Sequence, residues 1–263
     1  MTPGERASPA AGEGVPRAVG EGASPAVDER PRAGGLALAG AGAILFSAKA
    51  VIVKLAYRYD VDPVTLIAMR MIVAVPFFAL AAWWVERRSP QSWRAGDGFL
   101  VLVLGLLGYY LASFLDFLGL QYISAGLERV ILYLNPTLVL VISAVALGRA
   151  VRRRELLALA IAYVGVFLVF AHDVRFEGAD VALGGALVFA SALAYALYLV
   201  GSGEMVKRLG PVRLTAWASI VASFACILQA LALDPGALLR QPVPVWWLSL
   251  VNGTLCTVLP VFL

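Results

Sequence analysis

The 263-residue chain is 61% hydrophobic and 14% charged, with a mean hydropathy of +0.84 and a formal charge of +4. That balance excludes an ordinary soluble domain and puts the chain in lipid. The excess positive charge does not call for a nucleic-acid partner, because the basic residues fall in short loops between apolar runs, where they set orientation.

Residues 1–33 are rich in Pro, Gly, Ala, Glu and Arg. With almost no large apolar side chain they cannot offset the entropy of ordering, so this stretch reads as a disordered cytoplasmic tail. It lacks the pattern of a signal peptide, which leaves the first spanning helix to direct insertion. Apolar runs suited to crossing a hydrocarbon core then follow at 35–56, 63–85, 98–119, 127–147, 156–171, 183–201, 212–232 and 245–263. Arg87, Arg88, Arg94, Arg149, Arg152, Arg153, Arg154, Lys207, Arg208 and Arg213 flank the spans on one side, whereas the alternate loops carry Arg58, Arg175 and Arg240. The bias predicts a cytoplasmic N-terminus. Cys226 and Cys256 fall inside spans and read as packing residues, with no disulfide or zinc spacing, and His172 reads as a solvated residue beside Asp173.

The chain repeats itself. "PVTLIAMRMIVA" at 63–74 and "PVRLTAWASIVA" at 211–222 agree at seven of twelve positions, at an offset of 211 − 63 = 148. The same offset lays "LVLVLGLLGYYLASFL" at 100–115 over "LSLVNGTLCTVLPVFL" at 248–263 without a gap. The first copy holds five spans, an odd number, so the second enters the membrane from the opposite side. The two therefore form an inverted pair, an arrangement that points to alternating access in a secondary transporter. Small residues four apart, Gly35, Ala39, Ala43 and Ser47 in one copy and Ala182, Ala186, Ala190 and Ala194 in the other, mark a candidate helix-packing surface. No phosphate loop, metalloprotease pair or hydrolase serine elbow is present.

Ionisable groups inside spans are costly and usually functional. Lys49 lies mid-helix in the first span and Arg70 in the second, with Asp116, Glu128 and Arg129 near the ends of the third and fourth, and Lys49 and Asp116 are expected to face a common central cavity in the outer half. A structural alternative has Arg70 and Arg129 snorkelling outward and Glu128 capping a helix start. Asn135-Pro136 interrupts the fourth span, either to line a cavity or as a packing kink. Tyr109, Tyr110, Tyr133, Tyr195 and Tyr198 are candidates to wall an aqueous path, with Ser202 two turns from Tyr195.

"FSAKAVIVKLAYRYDVDPVTLIAMRMIVA", "GYYLASFLDFLGLQYISAGLERVILYLNPTLVLVISAVALG" and "RRRELLALAIAYVGVFLVF" resemble one repeat of the EamA-type transporters of the drug/metabolite transporter superfamily. The specific elements are Lys54, Pro63 with Arg70, Asn135-Pro136, and Gly148 opening a basic loop. The resemblance implies two inverted five-helix repeats, ten helices in all, and export of amino acids or other small metabolites. Two departures stand out. Arg149 occupies the place after Gly148 where the family usually has Glu, and the 148-residue offset pairs Leu263 with Leu115, inside the third helix of the repeat.

The expected architecture is therefore all-α and integral to the membrane. It has a first repeat at 35–171, and a second beginning at 183 and truncated at 263, so that about eight of ten spanning helices are present. The expected function is metabolite efflux across a bacterial-type inner membrane, not an enzyme activity; the alternatives are a non-transporting scaffold or ligand sensor and, less favoured, a membrane transferase using Asp116 with Glu128. The candidate substrate pathway comprises Lys49, Arg70, Tyr109, Asp116, Glu128, Arg129, Asn135 and Tyr195. No cofactor or metal is called for; the partners are a small-molecule substrate and the lipid bilayer, with a homodimer left open.

Overall fold

The computed structural model describes residues 33–89, 92–170 and 180–262. The tail before residue 33, His172, Asp173 and Arg175 lie outside the described residues, as do the side chains of Gly35 and Ala39. The described residues are helical, without strands. We number the helices α1 (Ala33–Ala56), α2 (Pro63–Arg88), α3 (Asp97–Tyr122), α4 (Ala125–Leu147), α5 (Arg153–Phe170), α6 (Val181–Leu209), α7 (Pro211–Leu233) and α8 (Val243–Phe262). Seven segments among them are long and apolar enough to cross a membrane, while α5 opens on Arg153, Arg154 and Glu155. Outward-facing Ile44, Phe99, Val145, Phe167 and Leu228 are exposed, as expected of side chains that meet acyl chains instead of water. The protein is an all-α integral membrane protein.

Local chemistry sets the helix ends. The Asp62 side chain accepts a hydrogen bond from Thr65 N at 2.9 Å and Pro63 occupies the first turn of α2, where its missing N–H costs nothing. Ser124 caps α4 by accepting from Leu127 N at 3.2 Å. Gly148 ends α4 in the left-handed conformation, φ 63°, which a Cβ would disfavour. Inside α4 the helix pauses at Tyr133 and Leu134 and restarts at Asn135, so Pro136 sits at the beginning of a helical segment. The Asn-Pro interruption is thus one turn of relaxed helix placed where proline is tolerated.

The antiparallel pair α2 and α7 crosses the middle of the bundle. Arg213, near the start of α7, reaches Glu86 at the end of α2 at 2.9 Å, and Ser223 Oγ approaches Met71 Sδ at 3.5 Å. Along α3 and α6, also antiparallel, Arg208 pairs with Asp97 at one end and Ser191 Oγ donates to Ala112 O at 2.6 Å midway. At the other end a Cβ on Gly119 would lie 2.9 Å from Gly184 O. For reference, the end of the bundle holding the α1–α2 connection is the Asp60 end; the other is the Gly210 end.

The repeat recurs in these contacts. A Cβ on Gly105 would lie 2.7 Å from Ala218 O, and one on Gly253 would lie 2.9 Å from Arg70 O. Both members of the second contact stand 148 residues from their counterparts in the first. Helix α3 opens into a π-turn at Leu106–Leu111, and α8 does so at Thr254–Val258, again at that offset. Helix α3 packs on α6 and α7 as α8 packs on α1 and α2.

The small-residue stripe on α6 is displaced from expectation. Ala194 is buried, but Ala182 and Ala186 are exposed and the face against α3 is formed by Gly184, Val188 and Ser191; Ala43 on α1 is exposed and lines the cavity described below. Close approach depends on glycine at the crossing point, and a run of alanines at period four does not locate that point.

Two apolar clusters bracket the interior. Val53, Leu66, Met69, Phe117, Leu120 and Val245 fill the Asp60 end, and Val101, Leu104, Tyr198, Met205, Leu209 and Leu214 fill the Gly210 end between α3, α6 and α7.

Candidate functional site

A cavity of about 660 Å³ lies between the clusters, lined from α1, α2, α3, α4, α6, α7 and α8. Both π-turns deliver side chains to it: Tyr109 from the first, Cys256 and Thr257 from the second. A π-turn inserts one residue into a helical turn and shifts which side chains face inward, and such turns gather at functional sites.

The charged lining is a chain of contacts across three helices. Lys49 Nζ on α1 is 2.5 Å from Asp116 Oδ2 on α3 and 3.9 Å from Glu128 Oε1 on α4. Arg129 Nε is 2.8 Å from Glu128 Oε2. Glu128 is fully buried behind the wall, whereas Lys49, Asp116 and Arg129 line it. The Phe46 ring adds a π-face 5.1 Å from Lys49 Nζ and 5.5 Å from Arg129 Cζ. Such a cluster survives in an apolar bundle because each charge has an opposite neighbour. Arg129 turns inward instead of snorkelling, and Glu128 binds cations instead of capping its helix.

Arg70 also lines the cavity, 3% exposed, with Cζ 4.6 Å from the Phe117 centroid. Tyr109, Tyr195 and Tyr198 form an aromatic wall opposite: the Tyr109 and Tyr198 hydroxyls are 3.3 Å apart and Tyr195 stacks on Tyr198 at 5.7 Å. Asn135, Tyr133 and Ser202 line it too. Tyr110 does not, since it packs against the Asp60-end cluster and stacks on Phe114.

Lys54 sits outside the cavity. Its Nζ donates to Leu120 O at 2.8 Å, satisfying a carbonyl in the last turn of α3, while Tyr57 OH donates to Phe117 O at 2.6 Å. Together they tie α1 to α3 and close the Asp60 end. The lining continues the other way through Leu38, Val206 and Thr215. At the Gly210 end Arg208 pairs with Asp97, and Glu86 holds Arg213 and accepts from Trp217 Nε1 at 3.2 Å. Sequence reasoning took Arg208 and Arg213 for loop charges only. The acidic first residue of α3 and the acidic last turn of α2 were the signals for their partners. Cys226 packs in the apolar core, but Cys256, read as a packing residue, also faces the cavity.

The sequence pattern of the EamA-like transporter family matches residues 33–171. The chain belongs to the EamA-like transporter family. A relative from Bacillus subtilis (strain 168), the uncharacterized transporter YcbK, is 28% identical over 225 residues, covering 83% of this chain and 72% of its own length. An uncharacterized transporter of Archaeoglobus fulgidus is 28% identical over 171 residues, 64% of this chain and 58% of its own. A second Bacillus subtilis transporter, YyaM, is 26% identical over 148 residues, and the chain spans about half of it, 48%. A solved structure titled "Crystal structure of protein" superposes with a TM-score of 0.62 at 16% identity, over 86% of this chain and 76% of that one, which shows a common fold. The EamA assignment makes the protein a membrane transporter.

Proposed function

We propose that the protein is a secondary transporter, without enzymatic activity, that exports a small metabolite such as an amino acid across a bacterial-type inner membrane by alternating access. The observation carrying this reading is the buried Lys49–Asp116–Glu128–Arg129 cluster on a 660 Å³ cavity set between two antiparallel, 148-residue-related halves. Helical copies of opposite orientation can exchange conformations, so one arrangement of contacts generates its mirror with access from the other side. The clusters at the two ends act as alternate seals, and the paired π-turns are where α3 and α8 bend. With the N-terminus cytoplasmic, the Gly210 end is the cytoplasmic one and the Asp60 end, tied by Lys54 and Tyr57, is the closed outer face. Coupling is to protons or to the substrate gradient, carried by the charged cluster.

Efflux from proteoliposomes loaded with a radiolabelled amino-acid mixture tests the reading. Time-dependent release above that of an Asp116→Asn control is expected. Saturable binding without release would favour a ligand sensor or scaffold instead.

A further inference from the structure

Counting Glu128 behind the wall, cations outnumber carboxylates around the cavity by three to two. Lys49, Arg70 and Arg129 face Asp116 and Glu128, and the first and last cations take both carboxylates. Arg70 is left over. Among the described residues no carboxylate lies within salt-bridge distance of it, and its Nε and Nη2 are buried without a hydrogen-bond partner. Its guanidinium rests on Phe117, the buried ring that also lies 6.0 Å from Lys49 Nζ, so both cations meet one ring of the Asp60-end core. An unpaired charge in a spanning helix is kept at a cost of about 2.5 to 3.5 kcal/mol on insertion scales. Packing does not require it, because position 218, its counterpart in the other half, is alanine in the equivalent crossing.

We infer that Arg70 is the anion receptor of the cavity and that the substrate carries a carboxylate, which pairs with this guanidinium in the bound state. The inference rests on the transport reading above and narrows its substrate class. A guanidinium presents parallel N–H donors in a plane, the match for a carboxylate's two oxygens. One carboxylate supplies the opposite charge that Arg70 lacks among the described residues. The volume suits a small metabolite.

The test is ligand-induced thermal stabilisation of the purified protein in detergent, which needs no flux. The probes are 4-methylpentanoate, L-leucine, L-lactate and succinate, against 4-methylpentanamide, L-leucinamide, L-lactamide and succinamide, with inorganic phosphate as a further arm. Stabilisation by at least one carboxylate but not its amide is expected. Affinity for it should fall about tenfold or more in Arg70→Gln, and less in Arg70→Lys. Ligand-free Arg70→Gln should melt no lower than the wild type, since it removes an uncompensated charge; a lower melting point would mark Arg70 as a structural residue and overturn the proposal. Equal stabilisation by acids and amides, stabilisation by phosphate alone, no response to any carboxylate, or an unchanged response in Arg70→Gln would also overturn it. Carboxylate-selective binding without flux would instead defeat the transport reading and leave the receptor role standing.

Discussion

Gly253 meets Arg70 backbone to backbone, leaving no room for a side chain: a Cβ there would sit 2.9 Å from the Arg70 carbonyl oxygen. Gly105 stands in the same relation to Ala218, at 2.7 Å. These crossings fix α8 on α2 and α3 on α7. Gly105→Ala and Gly253→Ala should each destabilise the folded protein by about 1–3 kcal/mol, because the obstacle is backbone and cannot swing aside. Gly40→Ala, with nothing near its Cβ, should leave stability unchanged. Thermal unfolding followed by size-exclusion fluorescence reads all three.

Asp116→Asn should abolish most transport while at least half the protein still folds into the membrane. Lys49 loses its 2.5 Å partner but keeps Glu128 at 3.9 Å, so the charge is not stranded. A Lys49→Met, Asp116→Leu double variant, in which the pair is replaced by apolar side chains, should recover stability without flux. Wild-type flux in either variant would reduce the pair to a structural contact.

Glu86→Gln should cost about 3 kcal/mol, since it takes the carboxylate from Arg213, a cation 1% exposed. The same change weakens the bond from Trp217, so the tryptophan emission of the variant should shift to longer wavelength below its unfolding transition. An unaltered melting temperature would mean that Arg213 is held by its other contacts, among them the Ser89 carbonyl.

Alkaline phosphatase fused after Arg153 should be inactive and a fluorescent protein at the same point bright, because the basic loop before α5 is expected in the cytoplasm. Periplasmic phosphatase activity from that fusion would reverse the orientation of every helix.

The helices and their duplication were legible in the sequence because apolar length and a gapless 148-residue offset are both one-dimensional signals. Lys49 and Asp116 stood out too, and were expected on a common cavity, since a charge within an apolar run is conspicuous wherever it points. The structure does bring the two together on one cavity wall, but the links on to Glu128 and Arg129 depend on how α1 and α3 meet α4, which no spacing in the chain records. The misplaced stripe on α6 has a related cause. In a lipid-embedded helix both the buried and the lipid-facing sides are apolar, so composition cannot say which of Ala182 and Gly184 faces a neighbour. The π-turns left no composition signature at all; Gly108, in the first of them, packs against Tyr198.

The contact at Arg70 divides one residue between two roles. Gly253 meets its carbonyl oxygen, which any amino acid would supply, while Arg70 also lines the cavity. The crossing is therefore indifferent to what side chain stands at position 70, and the site is indifferent to the crossing. A substitution at that position can therefore change the chemistry of the cavity wall while the helix frame stays as it was. The duplicated half, with alanine at the matching place, already demonstrates that the frame tolerates a residue of entirely different chemistry.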